Sequence, residues 1–291
     1  MARSEALGTI HEVDLQAGRI RYRERGQGPP VVFVHGLLVN ADLWRAVVPP
    51  VAAAGYRCIA PDWPLGAHEL PVPDADLSPP GVAALIAAFL DRLDLDDVTV
   101  VANDTGGAIT QLLITQHPER IGRVVLTPSD SLERFFPPVF APLPKLARIP
   151  GSMWLLAQLL WARALQRLPF TFGWVTKRPI SPDIVDSYLL PSRRDAAVRH
   201  DLRRFLRGVH RRHTLAAARA LPQFTKPVLL AWAAEDRLFP LSLARRLAAL
   251  LPHATVVTIH DSYTFVPEDQ PELLARLLVD FQRAHATHAT A

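Results

Sequence analysis

The chain has one cysteine in 291 residues, Cys58. A single thiol excludes an internal disulfide framework and leaves no cysteine spacing for a zinc site. Within YRCIAPD, Cys58 reads as a core strand residue. The N-terminal stretch MARSEALGTIHEVDL carries no apolar run of signal-peptide length. The longest apolar patch, MWLLAQLLWARAL over 153–165, is too short to cross a bilayer and is broken by Arg163. No internal repeat is visible. The expectation is a cytoplasmic protein that uses no cofactor and no metal and has no membrane partner.

Charge is modest. The formal net charge is +4, with 49% hydrophobic and 21% charged residues, an ordinary composition for a globular chain with a large core. Most of the basic clustering lies in RRDAAVRHDLRRFLRGVHRRH (193–213), where helical spacing gathers Leu202, Phe205, Leu206 and Val209 on one face and the arginines elsewhere. That is a solvated amphipathic helix. No recognised binding module accompanies the charge, so the expected partner is a small-molecule substrate and not nucleic acid. Monomer and homodimer both stay open.

Along the chain, GTIHEVDLQ and RIRYRER read as a hairpin turning at Ala17-Gly18. Then β-branched runs alternate with helical spacing: PPVVFVHG, ADLWRAVVPPVAAAG, YRCIAPD, PPGVAALIAAFLDRL, DVTVVAND, GGAITQLLITQHPERI and GRVVLTPSD. Alternation stops after Asp130, gives way to proline-rich connections and helical segments over 131–222, and resumes with KPVLLAWAAED, PLSLARRLAALLP, ATVVTIHDS and PELLARLLVDFQRA. The tail HATHATA is expected to fray. Such alternation predicts right-handed crossovers and a mostly parallel sheet with helices on both faces, an α/β class interrupted by a helical insertion.

Open parallel sheets bind ligands beyond the carboxyl ends of their strands. Three strands here end at aspartates: Asp104, Asp130 and Asp236. Asp104 lies in Ala102-Asn103-Asp104-Thr105-Gly106, where small residues two positions to either side suit the tight turn of a nucleophile elbow. With VFVHG, APDWPLGAH, WAAEDRLFP and TFVPEDQPE in the same order, the chain resembles the α/β-hydrolase superfamily, in particular its aspartate-nucleophile members, the haloalkane dehalogenases and epoxide hydrolases. The resemblance implies an α/β-hydrolase fold with a mostly parallel eight-stranded sheet, its core formed by 1–130 and 223–291 and a helical cap by 131–222. It also implies hydrolysis of a small to medium apolar substrate. Asp104 would attack, Asp236 or Asp130 would support a base, and the amides of Leu37 and Thr105 would form the oxyanion hole. His35, Trp63, Tyr188, Trp154 and Tyr263 would stand around the substrate pocket.

One element departs from the pattern. Where the resemblance places the catalytic histidine, TFVPEDQPE has Thr264, and Tyr263 stands where glycine usually precedes it. A threonine hydroxyl cannot take a proton from water near neutrality. His68, in PLGAHELP, is the preferred substitute, ahead of His260, His210 and His213. Thr105 and Leu37 also occupy the places where similar dehalogenases hold halide with tryptophan and asparagine, and the insertion has one tyrosine, Tyr188. Two alternatives to hydrolysis follow: a non-hydrolytic enzyme (isomerase, cyclase or lyase) using Asp104 as general acid or base, or a ligand-binding protein without catalysis.

Overall fold

Central strands of this chain are short runs of valine, leucine and isoleucine, and their burial follows from that. β3 (Pro30–Val34), β5 (Val98–Asp104), β6 (Ile121–Ser129) and β7 (Val228–Ala233) are buried along nearly their whole length, as strands covered on both faces must be. β1 (Thr9–Leu15) and β8 (Ala254–Ile259) are largely open to solvent and form the two edges. With β2 (Gly18–Arg25) and β4 (Arg57–Pro61), they complete one eight-stranded sheet in the order β1-β2-β4-β3-β5-β6-β7-β8. Only the β1–β2 and β2–β4 pairings are antiparallel. This computed structural model describes residues 3–169 and 171–286, so residues 287–291 of the tail expected to fray lie outside it.

The connecting helices are α1 (Val48–Ala53), α2 (Pro79–Arg92) and α3 (Thr105–Gln116) before β6. Between β6 and β7 run α4 (Leu143–Leu146), α5 (Ser152–Trp161), α6 (Pro182–Arg194), α7 (Ala196–Gly208) and α8 (Arg211–Ala220). α9 (Leu241–Ala248), α10 (Val266–Asp269) and α11 (Pro271–Ala284) complete the chain. Among its described residues the 131–222 stretch adds no strand to the sheet. Its last helix, α8, packs on α3 and so lies with the sheet's own helical layer.

Two expected helices are divided. ADLWRAVVPPVAAAG forms a 3-10 turn at Ala41–Trp44 and then α1, whose first turn holds Pro49 and Pro50, a place where a missing N–H costs nothing. The basic amphipathic stretch is the end of α6, all of α7 and the start of α8. The breaks come where a side chain caps a new helix: Asp195 accepts from the Ala197 amide at 2.7 Å, and His210 Nδ1 from that of Arg212 at 3.1 Å. The apolar face is as expected, with Leu202, Phe205, Leu206 and Val209 all buried. Cys58 is buried in β4.

Candidate active site

Asp104 ends β5 and opens α3 with φ 54° and ψ −131°, a left-handed conformation that an L-residue adopts only when its surroundings impose it. They do so here by close approach. A Cβ on Gly106 would collide with the carbonyls of Val34 and His35, and one on Gly36 would overlap the Asp104 carboxylate. The turn therefore pushes the carboxylate against the loop after β3, where the Leu37 amide donates to Oδ2 at 3.2 Å. The Leu37 amide thereby fixes one of the two carboxylate oxygens.

That carboxylate opens into a narrow, mostly apolar cleft. Leu37, Leu38, Thr105 and Phe265 line it from the sheet side, and Phe136, Phe140, Leu156, Leu160, Phe172 and Leu189 from the 131–222 stretch. Asp104 is the only ionisable side chain in the wall among the described residues. Protein surrounds it on every side but the cleft, so it keeps some accessible surface while being far from bulk water. Burial raises its pKa to about 6, against the lowering by the Thr105 and Leu37 amides and the Thr105 hydroxyl.

Two further carboxyls stand behind it. Thr105 Oγ1 donates to Asp130 Oδ2 at 3.2 Å, linking Asp130 to the elbow. Burial, then the Asp104 charge, pushes Asp130 well above the usual carboxylate range. Asp236 Oδ1 accepts from the amides of Leu238 and Phe239, both at 2.7 Å. Burial raises its pKa to about 7, opposed by those amides and by the neighbouring Thr264 hydroxyl. The hydroxyl lies beside Asp236 without forming a bond of normal geometry, and both Thr264 Oγ1 and Asp236 Oδ2 are buried with no hydrogen-bond partner. Asn103, one residue before Asp104, donates through Nδ2 to Thr127 Oγ1 and to the Thr264 carbonyl, each at 2.7 Å. The segment bearing Thr264 is thus fastened to β5.

Six residues expected at the pocket are elsewhere. His68 is buried with Nε2 3.2 Å from Asp201 Oδ2 on α7; it does not line the cleft, so it is not placed to serve as the substitute base. His35 is tied into the loop through both ring nitrogens: the Trp63 amide donates to Nε2 at 2.9 Å and Nδ1 lies 2.9 Å from the Gly36 carbonyl. Burial drives its pKa down to about 3, so it stays neutral and structural. Trp63 is fully buried beneath that loop and donates from Nε1 to the Phe33 carbonyl. The Tyr188 hydroxyl donates to Glu268 at 2.9 Å, which also receives Arg45, so it is spent in a buried network away from the cleft. Trp154 points outward, 54% exposed. Tyr263 lines a separate groove, with the Arg237 guanidinium 4.7 Å above its ring. His260 and His210 are exposed, and neither they nor His213 reach the cleft. Asn40 donates to the Ser187 carbonyl.

The turn at Asp104, the Leu37 amide, Asp236 after β7 and the strand order now stand together, and a family model for the alpha/beta hydrolase fold matches residues 29–166. The chain has the α/β-hydrolase fold. It is 28% identical over 282 residues, 95% of its length and 99% of the other's, to the uncharacterized hydrolase YugF of Bacillus subtilis. It is 27% identical over 279 residues, 92% of each chain, to haloalkane dehalogenase 2 of Mycobacterium tuberculosis. A cis-3-alkyl-4-alkyloxetan-2-one decarboxylase of Shewanella oneidensis is 26% identical over 298 residues, 96% of this chain and 90% of that one. Among solved structures, haloalkane dehalogenase DatA from Agrobacterium tumefaciens C58 superposes with TM-score 0.80 at 24% identity, over 97% of this chain and 100% of DatA. Epoxide hydrolase CorEH does so with TM-score 0.80 at 19% identity, over 95% and 99%. With relatives of this kind along nearly its whole length, the chain is an enzyme. No helix of its described residues is long and apolar enough to cross a membrane.

Sequence reasoning missed the phenylalanines and leucines of the cleft wall and the Asn103 fastening. Asn103 sits between two residues singled out for the elbow, but its role depends on a carbonyl 161 positions away. No local signal marks that.

Proposed function

We propose that this protein transforms a small to medium apolar substrate through Asp104 acting as proton acceptor and donor, in a rearrangement, elimination or ring-opening that does not end on water. The observation that carries the reading is the cleft wall, whose one ionisable group among the described residues is Asp104 and which holds no histidine; the sequence resemblance sets Thr264 at the place of the water-activating imidazole. A carboxyl with a pKa of about 6 is ionised often enough to accept a proton from a substrate and acidic enough to return it. The Leu37 amide fixes Oδ2, so that exchange falls to Oδ1. The apolar walls supply binding without chemistry of their own, and a helical lid over 131–222 fits an apolar guest. The decarboxylase among the relatives is named for a reaction that loses carbon dioxide.

A second reading has its own support. A carboxylate with one oxygen held by a main-chain amide suits attack on a carbon bearing a halide or an epoxide oxygen, whose bond to that leaving atom breaks as an ester forms on Asp104. With no imidazole to activate water, that ester would persist. Both readings are tested by incubating the protein with a panel of epoxides, haloalkanes and strained lactones in oxygen-18 water, then analysing products and intact protein mass. Products without the heavy isotope, lost in Asp104→Asn, support proton transfer. A lasting mass increase mapped to Asp104 supports the ester. Sustained release of labelled alcohols shows that water is the acceptor after all and refutes both.

A further inference from the structure

Residues 134–182 contain no aspartate or glutamate and seven lysines and arginines. The same stretch carries five of the six large apolar side chains most open to solvent among the described residues: Leu146 at 40%, Ile149 at 55%, Trp154 at 54%, Leu155 at 53% and Leu159 at 49%. Soluble surfaces scatter such residues singly. Here they are gathered on α4, α5 and the turn between them.

α5 is apolar on two sides. Leu156 and Leu160 face the cleft that holds Asp104, while Trp154, Leu155 and Leu159 face outward. α4 repeats the arrangement, with Leu143 in the cleft wall and Leu146 outside. An apolar exterior thus backs directly onto an apolar interior. On α4 and the turn after it, Lys145 and Arg148 are exposed and have no acidic partner among the described residues, whereas Arg163 is paired with Asp186 and Lys177 with Glu235. Arg193 lies 4.5 Å above the ring of Trp161, at the far end of α5.

We propose that the outer face of α4–α5 docks on an anionic lipid surface, with Trp154, Leu155 and Leu159 entering the headgroup–acyl boundary and Lys145 and Arg148 meeting lipid phosphates. Basic rims around an outward apolar face are the chemistry of interfacial binding. A two-fold contact with a second copy would set identical basic rims against each other. Neither helix is long enough to span a bilayer, so the face lies on the membrane plane and the body stays outside. This replaces the expectation of no membrane partner, and it places the cleft where an apolar substrate dissolved in lipid could reach it.

The test is sedimentation of the full-length protein with vesicles of phosphatidylcholine alone and of phosphatidylcholine mixed with phosphatidylglycerol, at low and high salt. Binding is expected only with the anionic lipid, and to weaken with salt. The triple variant Trp154→Ser, Leu155→Ser, Leu159→Ser is expected to bind at least about ten-fold more weakly. Neutralising Lys145 or Arg148 with glutamine should cost roughly five-fold each at low salt. Should the triple variant fail to fold, the difference in fluorescence between wild type and Trp154→Phe on adding vesicles answers the same question, and a blue shift of that component is expected. Absence of binding to anionic vesicles, equal binding by the serine variant, or a concentration-dependent dimer that this variant abolishes would each overturn the proposal.

Discussion

The two walls of the cleft divide its work. The sheet side carries every group able to move a proton or hold a charge: Asp104, the Leu37 amide, Thr105, and behind them Asp130 and Asp236. The helical side contributes almost nothing but phenylalanine, leucine, valine and proline. One wall is fixed by strand ends and strained turns, whose geometry the packed sheet imposes. The other is built from side chains on short helices, where a change in size alters the room available and leaves the reacting group untouched. On the proposed reading, the reaction belongs to the first wall and the choice of substrate to the second.

The comparison is tested most severely on the sheet side. Thr264→His would set an imidazole beside Asp236, where two buried oxygens now lack partners. If that wall decides the reaction, the variant should convert an Asp104 ester to free alcohol at least about 100-fold faster than the natural chain. The loss of the adduct mass over time measures it. Unchanged decay would mean that the choice between water and no water is made elsewhere.

Asp236 offers a smaller and differently signed effect. Its pKa in the folded chain, about 7, lies above the ordinary 3.8. Such a carboxyl supports the fold fully below the lower value, and that support is lost as pH rises through the higher one. Asp236→Asn keeps an oxygen for the Leu238 and Phe239 amides and cannot ionise. It is expected to match the natural chain near pH 4 and to exceed it at pH 8 by up to about 4 kcal/mol in urea unfolding. A variant less stable at pH 8 would show that the charge is compensated by a partner.

On the helical side, Phe140→Ala should leave kcat for a small substrate within a few-fold and shift KM by roughly 10- to 100-fold for substrates that fill the cleft. Steady-state kinetics across a series of chain lengths checks it. A large fall in kcat for every substrate would erase the distinction between the walls.

How far the sequence could be read follows the same division. Valine-rich runs ending at glycine or aspartate foretell buried strands, and a strand end followed by small residues foretells the elbow, because both are set by neighbours within a few positions. The break of 41–55 into a turn and a helix is visible afterwards in Pro49-Pro50. Periodicity cannot say that Leu156 and Leu160 meet a cleft while Trp154 meets solvent, because α5 is apolar almost all round. His68 looked available since its partner, Asp201, lies 133 positions away. Tyr188, Trp63 and His35 are likewise engaged with groups far along the chain or buried beneath the loop.

Asn103 has one more consequence. It grips the main chain of residue 264, not its side chain, and the Phe265 amide donates to the Val175 carbonyl at 2.7 Å. Both bonds are made by main-chain atoms and so do not depend on the threonine side chain. Position 264 is therefore expected to work like a socket: on the proposed reading, exchanging this one buried residue would change the reaction while the two main-chain anchors hold the segment.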